Sequence, residues 1–289
     1  MEYFEPKTVN EALSVLAEHG AEAKVIAGGT DVMVDIKYKE EPGCLVNIKK
    51  LPGMTRIQEN GSSLRIGALV TIHELELNPL VREKLPVLWE AAHQFASLQI
   101  RNTATLGGNI CRASPSGETL APLLVLEAKA RLAFSDGEKT EPFTSFFQGP
   151  GKSVLGTKGL LTEIDVPYPP SGSKSVYLKH AVRGAMDIAM VGVAVLITPD
   201  GGKNNMQDVR IGLGAVAPTP VRATKTEALL RGKPLTATLL KEAAALAASE
   251  SSPISDQRSS AEYRRWIVEA FTRRGLEQTW KAATGKEVA

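Results

Sequence analysis

The sequence predicts an α+β fold in two parts, and three observations lead to this prediction. A short apolar segment at residues 25–27 breaks into Gly28-Gly29 and an apolar run, which is the pattern of a strand, a turn and a helix. A stretch rich in Pro and Ser at 167–173 then marks a boundary. Beyond it the sequence predicts a small antiparallel sheet followed by helices. The three strand-like segments of that sheet are 176–182, 188–198 and 209–216.

Local signals predict the remaining elements. Thr8 and Thr71 each begin a capping box, in which a hydroxyl and a carboxylate lie three residues apart at a helix start. Asn60-Gly61 lies between two strand-like runs and indicates a hairpin. The other predicted strands are 45–48, 130–134 and 160–166, and the other predicted helices are 86–96, 117–126, 223–230, 238–248 and 260–281.

The composition excludes several classes of protein. With 289 residues, the chain is long enough for two domains. A net charge of +2 and 5% aromatic residues argue against nucleic acid as the main partner. No apolar run approaches the roughly 20 residues of a membrane span, and the N-terminus lacks the pattern of a signal peptide. We therefore expect a cytoplasmic protein without a membrane span.

Two glycine pairs are the main candidates for a binding site. Gly28-Gly29 follows a short strand, so its backbone N–H groups have no side chain in front of them and could hold a phosphate. Gly107-Gly108 repeats the pattern of an apolar segment and two glycines. Two such turns could hold the two phosphates of one dinucleotide, although neither matches the dinucleotide or P-loop fingerprints. Two structural turns without a ligand remain the alternative.

No metal site or catalytic group is expected in the chain. Its two cysteines, Cys44 and Cys111, cannot ligate an iron–sulfur cluster or a zinc ion by themselves. The four histidines show no ligand spacing. No residue has the pattern of a general acid, a general base or a nucleophile, which is typical of a protein whose chemistry belongs to a bound cofactor.

Several motifs together resemble one family. They are, in chain order, Ala27-Gly28-Gly29-Thr30-Asp31, Gln99-Ile100-Arg101-Asn102, Thr105-Leu106-Gly107-Gly108-Asn109, Ala113-Ser114-Pro115 with Glu118, Leu160-Leu161-Thr162-Glu163-Ile164, and Lys179 with Asp187-Ile188-Ala189. In this order and spacing the chain resembles, nearly from end to end, the FAD-binding (medium) subunit of molybdenum hydroxylases. That family includes carbon monoxide dehydrogenase, xanthine dehydrogenase and nicotinate dehydrogenase.

The resemblance implies a fold and a domain division. Residues 1–172 would form a two-lobed FAD-binding domain of the vanillyl-alcohol oxidase (PCMH) type, with lobes at about 1–53 and 54–172. Residues 173–289 would form a C-terminal domain of the carbon monoxide dehydrogenase flavoprotein type, with a three-stranded antiparallel sheet and helices. FAD would lie in the cleft of the protein, with its pyrophosphate on the two glycine turns.

The resemblance also implies a function and partners. In this family the subunit assembles with a large molybdopterin-containing subunit and a small subunit that carries [2Fe–2S] clusters. Electrons pass from the clusters to the flavin and then to an external acceptor, which can be NAD, a quinone or oxygen. The alternatives are a self-sufficient FAD-dependent oxidoreductase of the same cofactor fold and a non-catalytic adaptor that has lost FAD.

The family motifs assign cofactor contacts to seventeen residues of this sequence. They are Val25, Ile26, Ala27, Gly28, Gly29, Thr30, Asp31, Val32, Thr105, Leu106, Gly107, Gly108, Asn109, Ser114, Glu118, Leu161 and Lys179. The four glycines would let the backbone approach the pyrophosphate. Thr30, Thr105 and Asn109 would donate to phosphate oxygens, and the alternative for each is a local helix cap.

The remaining assignments each have a structural alternative. Asp31 is expected to cap the helix that follows it, because its charge would repel a phosphate. Ser114 and Glu118 would bond ribityl or ribose hydroxyls, whereas Glu118 could instead be a carboxylate in a first helical turn. Leu161 would pack on the flavin or adenine, or belong to the core. Lys179 would approach the N1–C2 edge of the isoalloxazine, or face solvent.

The sequence departs from its relatives at two points. Glu118 stands where the family more often has the shorter Asp, and two cysteines exclude the four-cysteine [4Fe–4S] loop of 4-hydroxybenzoyl-CoA reductase.

The C-terminal helix is basic. We interpret its arginines as a solvated face or, alternatively, as a docking edge for a partner subunit. These arginines are Arg264, Arg265, Arg273 and Arg274.

Overall fold

A computed structural model gives the structure of the chain and describes residues 1–38 and 41–289. The helices are α1 (Val9–His19), α2 (Val32–Tyr38), α3 (Ile72–Leu77), α4 (Pro79–Lys84), α5 (Pro86–His93), α6 (Leu98–Arg101), α7 (Leu106–Arg112), α8 (Leu120–Val125), α9 (Phe143–Phe146), α10 (Thr224–Leu230), α11 (Ala237–Ser249) and α12 (Ala261–Thr284). The strands are β1 (Glu2–Phe4), β2 (Ala23–Ile26), β3 (Cys44–Asn47), β4 (Ile57–Asn60), β5 (Ser63–Gly67), β6 (Lys129–Phe134), β7 (Gly137–Pro142), β8 (Phe147–Gly149), β9 (Lys152–Ser153), β10 (Leu160–Pro167), β11 (Lys174–His180), β12 (Val191–Pro199), β13 (Met206–Gly214) and β14 (Val221–Arg222).

The chain forms two compact units, and each is assembled from several segments. Unit 1 comprises residues 1–77, 97–113 and 127–167. Unit 2 comprises residues 78–96, 114–126 and 168–289. Two helical segments from the N-terminal half, which contain α4, α5 and α8, therefore belong to the unit that holds the C-terminal sheet.

Unit 1 contains a parallel sheet, an antiparallel sheet and a short strand pair. The parallel sheet has the order β1-β3-β2, and α1 packs against it through its apolar face, which buries Leu13 and Leu16. The five-stranded antiparallel sheet has the order β4-β5-β10-β6-β7, and β8 pairs with β9. The predicted hairpin is confirmed, with Asn60 paired to Ser63 across a turn in which Gly61 has a φ of 62°.

Both capping boxes begin helices as the sequence predicts. The N–H of Glu11 donates to the Thr8 hydroxyl at 3.1 Å, and α1 ends at Gly20, which has a positive φ. At the second box the bonds are reciprocal, because the Thr71 N–H donates to the Glu74 carboxylate at 2.7 Å and the Glu74 N–H donates to the Thr71 hydroxyl at 3.1 Å. Such a cap contributes about 1 kcal/mol to helix stability.

Unit 2 is built on an antiparallel sheet with the order β11-β12-β13-β14. The three long strands match the prediction. The two-residue strand β14 pairs with β13 and adds a fourth, edge strand that the sequence pattern did not predict. Every residue of β12 is buried, because helices α12 and α8 and strand neighbours pack around it. Burying one aliphatic side chain of this kind stabilises the fold by roughly 1.5–3 kcal/mol.

One arginine of the predicted basic face lies inside unit 2 instead of in solvent. Arg264 is 4% exposed. Its guanidinium donates to the carbonyls of Met190 and Ala215 at 3.3 and 3.2 Å and to the Asp256 carboxylate at 2.8 Å. The interpretation of Arg264 as part of a solvated or docking face is therefore wrong, because helix periodicity turns this position toward the sheet.

No described helix is long and apolar enough to cross a membrane. Among residues 1–38 and 41–289, no group of three or more His, Cys, Asp and Glu side chains is arranged to hold a metal ion.

Candidate functional site

The first glycine loop, residues 27–31, follows the end of a short parallel strand in unit 1. The Ile26 carbonyl accepts from the N–H of Ile48 at 3.0 Å, so β2 stays paired with β3 up to its last residue. Gly29 then adopts a φ of 76°, which residues with a side chain rarely adopt. The N–H of Met33 donates to the Gly29 carbonyl at 2.9 Å, and α2 begins directly after the loop.

The backbone N–H groups of the first glycine loop have no acceptor within the described chain. None of the hydrogen bonds recorded for residues 1–38 and 41–289 uses the N–H groups of 27–31, although 27–30 are half-buried. The Thr30 hydroxyl is likewise unused by the described residues. Backbone N–H groups that lie together without partners attract anions, so the loop has the chemistry of a phosphate site.

Gly28 brings the first glycine loop against the second glycine segment, residues 103–109. A Cβ on Gly28 would lie 2.1 Å from the carbonyl oxygen of Thr103 and 3.1 Å from the Cα of Ala104. The two glycine motifs therefore meet in unit 1. The contact gives a reason for glycine at position 28 within the protein itself, whereas the contact of Gly28 with a pyrophosphate stays a prediction.

The second glycine pair is the first turn of a helix and not a strand-to-turn element. Thr105 is the N-cap of α7, and its hydroxyl accepts from the N–H of Gly108 at 3.0 Å. The N–H groups of Leu106 and Gly107 donate at 2.9 Å to carbonyls of residues 70 and 68, and that of Asn109 donates to the Thr105 carbonyl at 3.0 Å. Helix capping and packing therefore use the N–H groups of residues 106–109 within the chain, unlike those of the first glycine loop.

The two glycines of α7 differ in what surrounds them. A Cβ on Gly107 would lie 2.6 Å from the Ala68 carbonyl oxygen and 2.7 Å from its Cβ, so this glycine lets the helix pack against the end of β5. Gly108 is exposed, and a Cβ there would meet only the Thr105 hydroxyl, at 2.9 Å. Asn109 is half-buried, on the same turn. Gly108 and Asn109 therefore present surface to a ligand, whereas Gly107 does not.

Asp31 forms an ion pair with an arginine that belongs to none of the motifs described above. Its carboxylate lies 3.4 Å from Nε of Arg112, at the last residue of α7. Nη1 and Nη2 of the same guanidinium donate to both carboxylate oxygens of Asp35, at 2.5 and 3.3 Å. The Asp35 hydrogen bond and the charges of both aspartates raise the pKa of Arg112. The expected helix cap by the Asp31 side chain is not formed, because the carboxylate pairs with a cation instead.

Lys179 and Glu118 form a buried ion pair in unit 2. Nζ of Lys179 donates to Oε1 of Glu118 at 2.8 Å, and the two side chains are 8% and 10% exposed. The same ammonium donates to the carbonyls of Gln94 and Asp187, at 3.1 and 2.8 Å. Lys179 therefore does not face solvent. Glu118 does not act only as a carboxylate at a helix start, because it compensates the charge of Lys179.

Burial dominates the electrostatics around this ion pair. It raises the pKa of Glu118, and the charge and hydrogen bond of Lys179 oppose that shift. Burial also raises the pKa of Tyr177 well above its ordinary value, with a further contribution from the Glu118 charge. The pKa of Asp187 is lowered, because its carboxylate accepts from the backbone N–H groups of Arg183 and Ile188.

Ser114 and Leu161 have mainly structural surroundings. Ser114 is half-buried in a turn of unit 2. Its carbonyl accepts from the N–H of Gly117 at 3.0 Å. Leu161 is 3% exposed on β10 of unit 1, and a bulge follows it in the ladder with β6. The side chain of Leu161 belongs to the core, which agrees with the alternative weighed for it.

The other predicted residues flank the glycine loop or support it. Val25 and Ile26 are half-buried on β2, and Val32 is the half-buried first residue of α2. Leu106 is fully buried, since it anchors the start of α7 in unit 1.

Unit 1 therefore brings together the predicted residues of the two glycine motifs, and unit 2 brings together Glu118 and Lys179. Sequence reasoning missed Arg112 and the two carbonyls on Lys179. Asp31 and Asp35 are four residues apart and share a helical face, which signals a cationic partner without identifying it. Backbone carbonyls carry no sequence signal.

Two family comparisons cover most of the chain. A family described as "FAD binding domain in molybdopterin dehydrogenase" matches residues 1–169. A second family, described as "CO dehydrogenase flavoprotein C-terminal domain", matches residues 176–279.

Individual relatives are similar over nearly their whole length. The xanthine dehydrogenase FAD-binding subunit of Escherichia coli O157:H7 is 32% identical, over 98% of this chain and 97% of that protein. The carbon monoxide dehydrogenase medium chain of Hydrogenophaga pseudoflava is 33% identical, over 96% of each. The solved structure of carbon monoxide dehydrogenase from Hydrogenophaga pseudoflava contains a chain with a TM-score of 0.94 and 33% identity, covering 98% of both chains.

Proposed function

The chain belongs to the FAD-binding medium subunits of the molybdenum hydroxylase family, and we propose that it carries electrons from [2Fe–2S] clusters of a partner subunit to an external acceptor. It is a flavoprotein subunit of a molybdenum-containing dehydrogenase, and its cofactor is FAD. FAD supplies the capacity to take up and release electrons singly or in pairs. The chain's own residues bind it, orient it and set its surroundings.

The observation that carries the proposal is the first glycine loop. Its N–H groups have no acceptor within the described chain, and the Thr30 hydroxyl is available beside them. We assign the pyrophosphate of FAD to this loop, because an anion with several acceptor oxygens satisfies a row of such donors. Gly29 supports this assignment, since its φ of 76° sets the turn.

Most of the second glycine segment would hold helix α7 in place, and two of its residues would contact the cofactor. Thr105, Leu106 and Gly107 would hold α7 in place through its cap and its contacts with the chain, without touching the cofactor through their N–H groups. Gly108 and Asn109 would supply the cofactor contact, because the first is exposed and the second carries an amide that can donate to an oxygen.

In unit 2, Lys179 and Glu118 would mainly hold neighbouring segments of the chain in position. An ammonium has three N–H donors, and Glu118, Gln94 and Asp187 accept from all three. A direct bond from Lys179 to the N1–C2 edge of the isoalloxazine, which the family resemblance implies, would require one acceptor to be exchanged. Contacts of Ser114 with ribityl or ribose hydroxyls remain a prediction.

The partners are proposed from the family. The relatives are called a medium chain and an FAD-binding subunit. We infer that this chain likewise assembles with a large molybdopterin-containing subunit and a small [2Fe–2S] subunit. NAD, a quinone or oxygen would take the electrons. A division into domains at 1–172 and 173–289 is part of the same proposal.

Expression with the adjacent coding sequences tests the electron-transfer role. We expect a large and a small subunit to co-purify with the chain. Carbon monoxide, a purine and nicotinate are then added to the complex one at a time, without oxygen. One of them should bleach the flavin absorbance at about 450 nm. The chain without its partners should keep an oxidised flavin under the same conditions. Flavin reduction by substrate in the isolated chain would instead support the self-sufficient oxidoreductase.

A further inference from the structure

Arg112 connects helix α7 to helix α2 and to the first glycine loop. It is the last residue of α7, and its guanidinium lies against α2 and the loop. Both oxygens of Asp35 accept from Nη1 and Nη2, whereas Nε lies 3.4 Å from the Asp31 carboxylate. A guanidinium held by two bonds to one carboxylate has a fixed plane and position, which a single ion pair would not give.

The two aspartates differ in their surroundings. Asp35 is 18% exposed, so its paired contact with Arg112 is sheltered from water. Asp31 is 55% exposed and belongs to the loop whose N–H groups have no acceptor in residues 1–38 and 41–289. A carboxylate in a loop that binds a diphosphate repels the ligand, unless a nearby cation offsets its charge.

We propose that Arg112 is a positioning residue for FAD binding, which offsets the charge of Asp31 and holds the first glycine loop in place without contacting the cofactor. The inference depends on the proposed binding of the pyrophosphate by this loop. Asp35 fixes the guanidinium, and the guanidinium's third nitrogen faces Asp31. Residues 31, 35 and 112 thus form one cluster, in which an arginine on α7 faces the negative charge of Asp31 in the loop.

The test measures FAD affinity of the full chain without cofactor by quenching of flavin fluorescence. We expect Arg112→Gln to weaken FAD binding by about tenfold, since it exposes the diphosphate to an uncompensated carboxylate. Riboflavin, which lacks phosphates, should bind Arg112→Gln within about twofold of the unchanged protein. The double variant Arg112→Gln/Asp31→Asn should recover most of the lost FAD affinity, because the exposed Asp31 charge is gone and only the sheltered Asp35 carboxylate has lost its cation.

Two further variants control for charge and folding. Arg131→Gln removes an arginine of unit 1 with similar exposure and one carboxylate partner, Glu163 at 3.0 Å, and should leave FAD affinity unchanged. Asp31→Asn alone should change FAD affinity much less than Arg112→Gln does, because Nε of the guanidinium, which lies 3.4 Å away, already offsets part of the Asp31 charge. This single variant tests the inference even if Arg112→Gln does not fold.

The contrary results separate this inference from the function it depends on. The inference is overturned if Arg112→Gln binds FAD as tightly as the unchanged protein, if Asp31→Asn fails to restore the double variant, or if Asp31→Asn alone tightens binding about tenfold. A failed rescue would assign Arg112 to direct cofactor contact, to packing, or to compensating the Asp35 charge instead of the Asp31 charge. If the unchanged protein binds riboflavin as tightly as FAD, the pyrophosphate site itself is rejected.

Discussion

The Lys179 ammonium donates to three acceptors that come from three separate places in unit 2. One is the Glu118 carboxylate just before α8, and the others are carbonyls after α5 and in the β11–β12 connection. A buried cation with all its donors used fixes the segments it joins. Removing one charge of such a pair leaves the other without compensation in a site that excludes water.

Lys179→Met should therefore destabilise the protein by about 2–4 kcal/mol. The loss is limited because the pKa of Glu118 is already raised by burial, so that this carboxyl takes up a proton more readily than an exposed glutamate. Urea unfolding followed by circular dichroism measures the change. Lys281→Met is the matched control, since Lys281 and Glu287 are 63% and 77% exposed, and it should cost less than about 0.5 kcal/mol. Equal losses in both variants would contradict the role of the buried pair.

The raised pKa of Glu118 also predicts how stability depends on pH. The folded state holds this proton above the pH at which the unfolded chain releases it, so the unfolded state binds fewer protons there. The free energy of unfolding should fall as pH rises from the ordinary glutamate value through the raised one. Glu90, whose pKa burial also raises, contributes with the same sign.

Unfolding of Glu118→Gln across that pH range checks this prediction. The amide does not titrate, so the slope should become smaller and keep only the contribution of Glu90 and other groups. An unchanged slope would mean that the pKa of Glu118 is the same in the folded and unfolded states.

At the scale of elements, helix α7 is where the sequence pattern and the structure differ most. Apolar residues followed by two glycines predict a strand and a turn, since glycine is a poor helix former. Here the helix forms because Thr105 caps it and because a Cβ-free position lets it approach Ala68. Tertiary packing thus overrides the local preference.

Gly107→Ala and Gly108→Ala should differ clearly in their effect on stability. The first places a Cβ 2.6 Å from a backbone carbonyl oxygen that cannot move away freely, and we expect a loss of about 1–3 kcal/mol. The second meets only a hydroxyl at 2.9 Å, and alanine favours helix over glycine, so stability should stay within about 1 kcal/mol of the unchanged protein.

FAD affinity distinguishes the two glycines further. Gly108→Ala should weaken FAD binding although the protein remains folded, because the methyl group occupies exposed surface assigned to the cofactor. Gly201→Ala serves as a control, since no atom lies within 4 Å of a Cβ at that turn residue. Full FAD affinity in Gly108→Ala would remove this residue from the site.

The elements themselves follow largely from local patterns. Capping boxes at Thr8 and Thr71, the Asn60-Gly61 turn and the long strands of unit 2 all form as predicted. These signals work because each depends on neighbours within a few residues of chain. The short strand β14 and the inward direction of Arg264 depend on distant contacts, and local patterns did not reveal them.

At the scale of the whole molecule, the part of FAD that riboflavin lacks, its diphosphate and adenosine, should add to the stabilisation that the flavin ring gives. A ligand that binds only the folded state stabilises it, by about 2.7 kcal/mol at a hundred times its dissociation constant. FAD should raise the unfolding temperature of the cofactor-free chain by several degrees, whereas riboflavin at the same concentration should raise it clearly less. Scanning calorimetry measures both, and equal shifts would contradict a site built on the first glycine loop.

The assembly of the units is a second property of the whole chain. Helices α4, α5 and α8 belong to unit 2 although they precede most of its sequence. No composition change marks these crossings, since the segments leave and rejoin unit 1 within ordinary helical and turn residues. Such long-range membership depends on which apolar faces pack together, and a pattern of single segments does not encode it locally.

The sequence by itself determined the family, the cofactor and the existence of the two glycine motifs, because these depend on residue types in a fixed order. It also determined most helices and strands, whose signals are local. Only the tertiary structure decided that the N–H groups of one glycine motif have no acceptor among the described residues while those of the other are bonded within the protein. It alone paired Arg112 with Asp31 and Lys179 with Glu118, because hydrogen bonds and ion pairs join residues that the fold, and not the chain, makes neighbours.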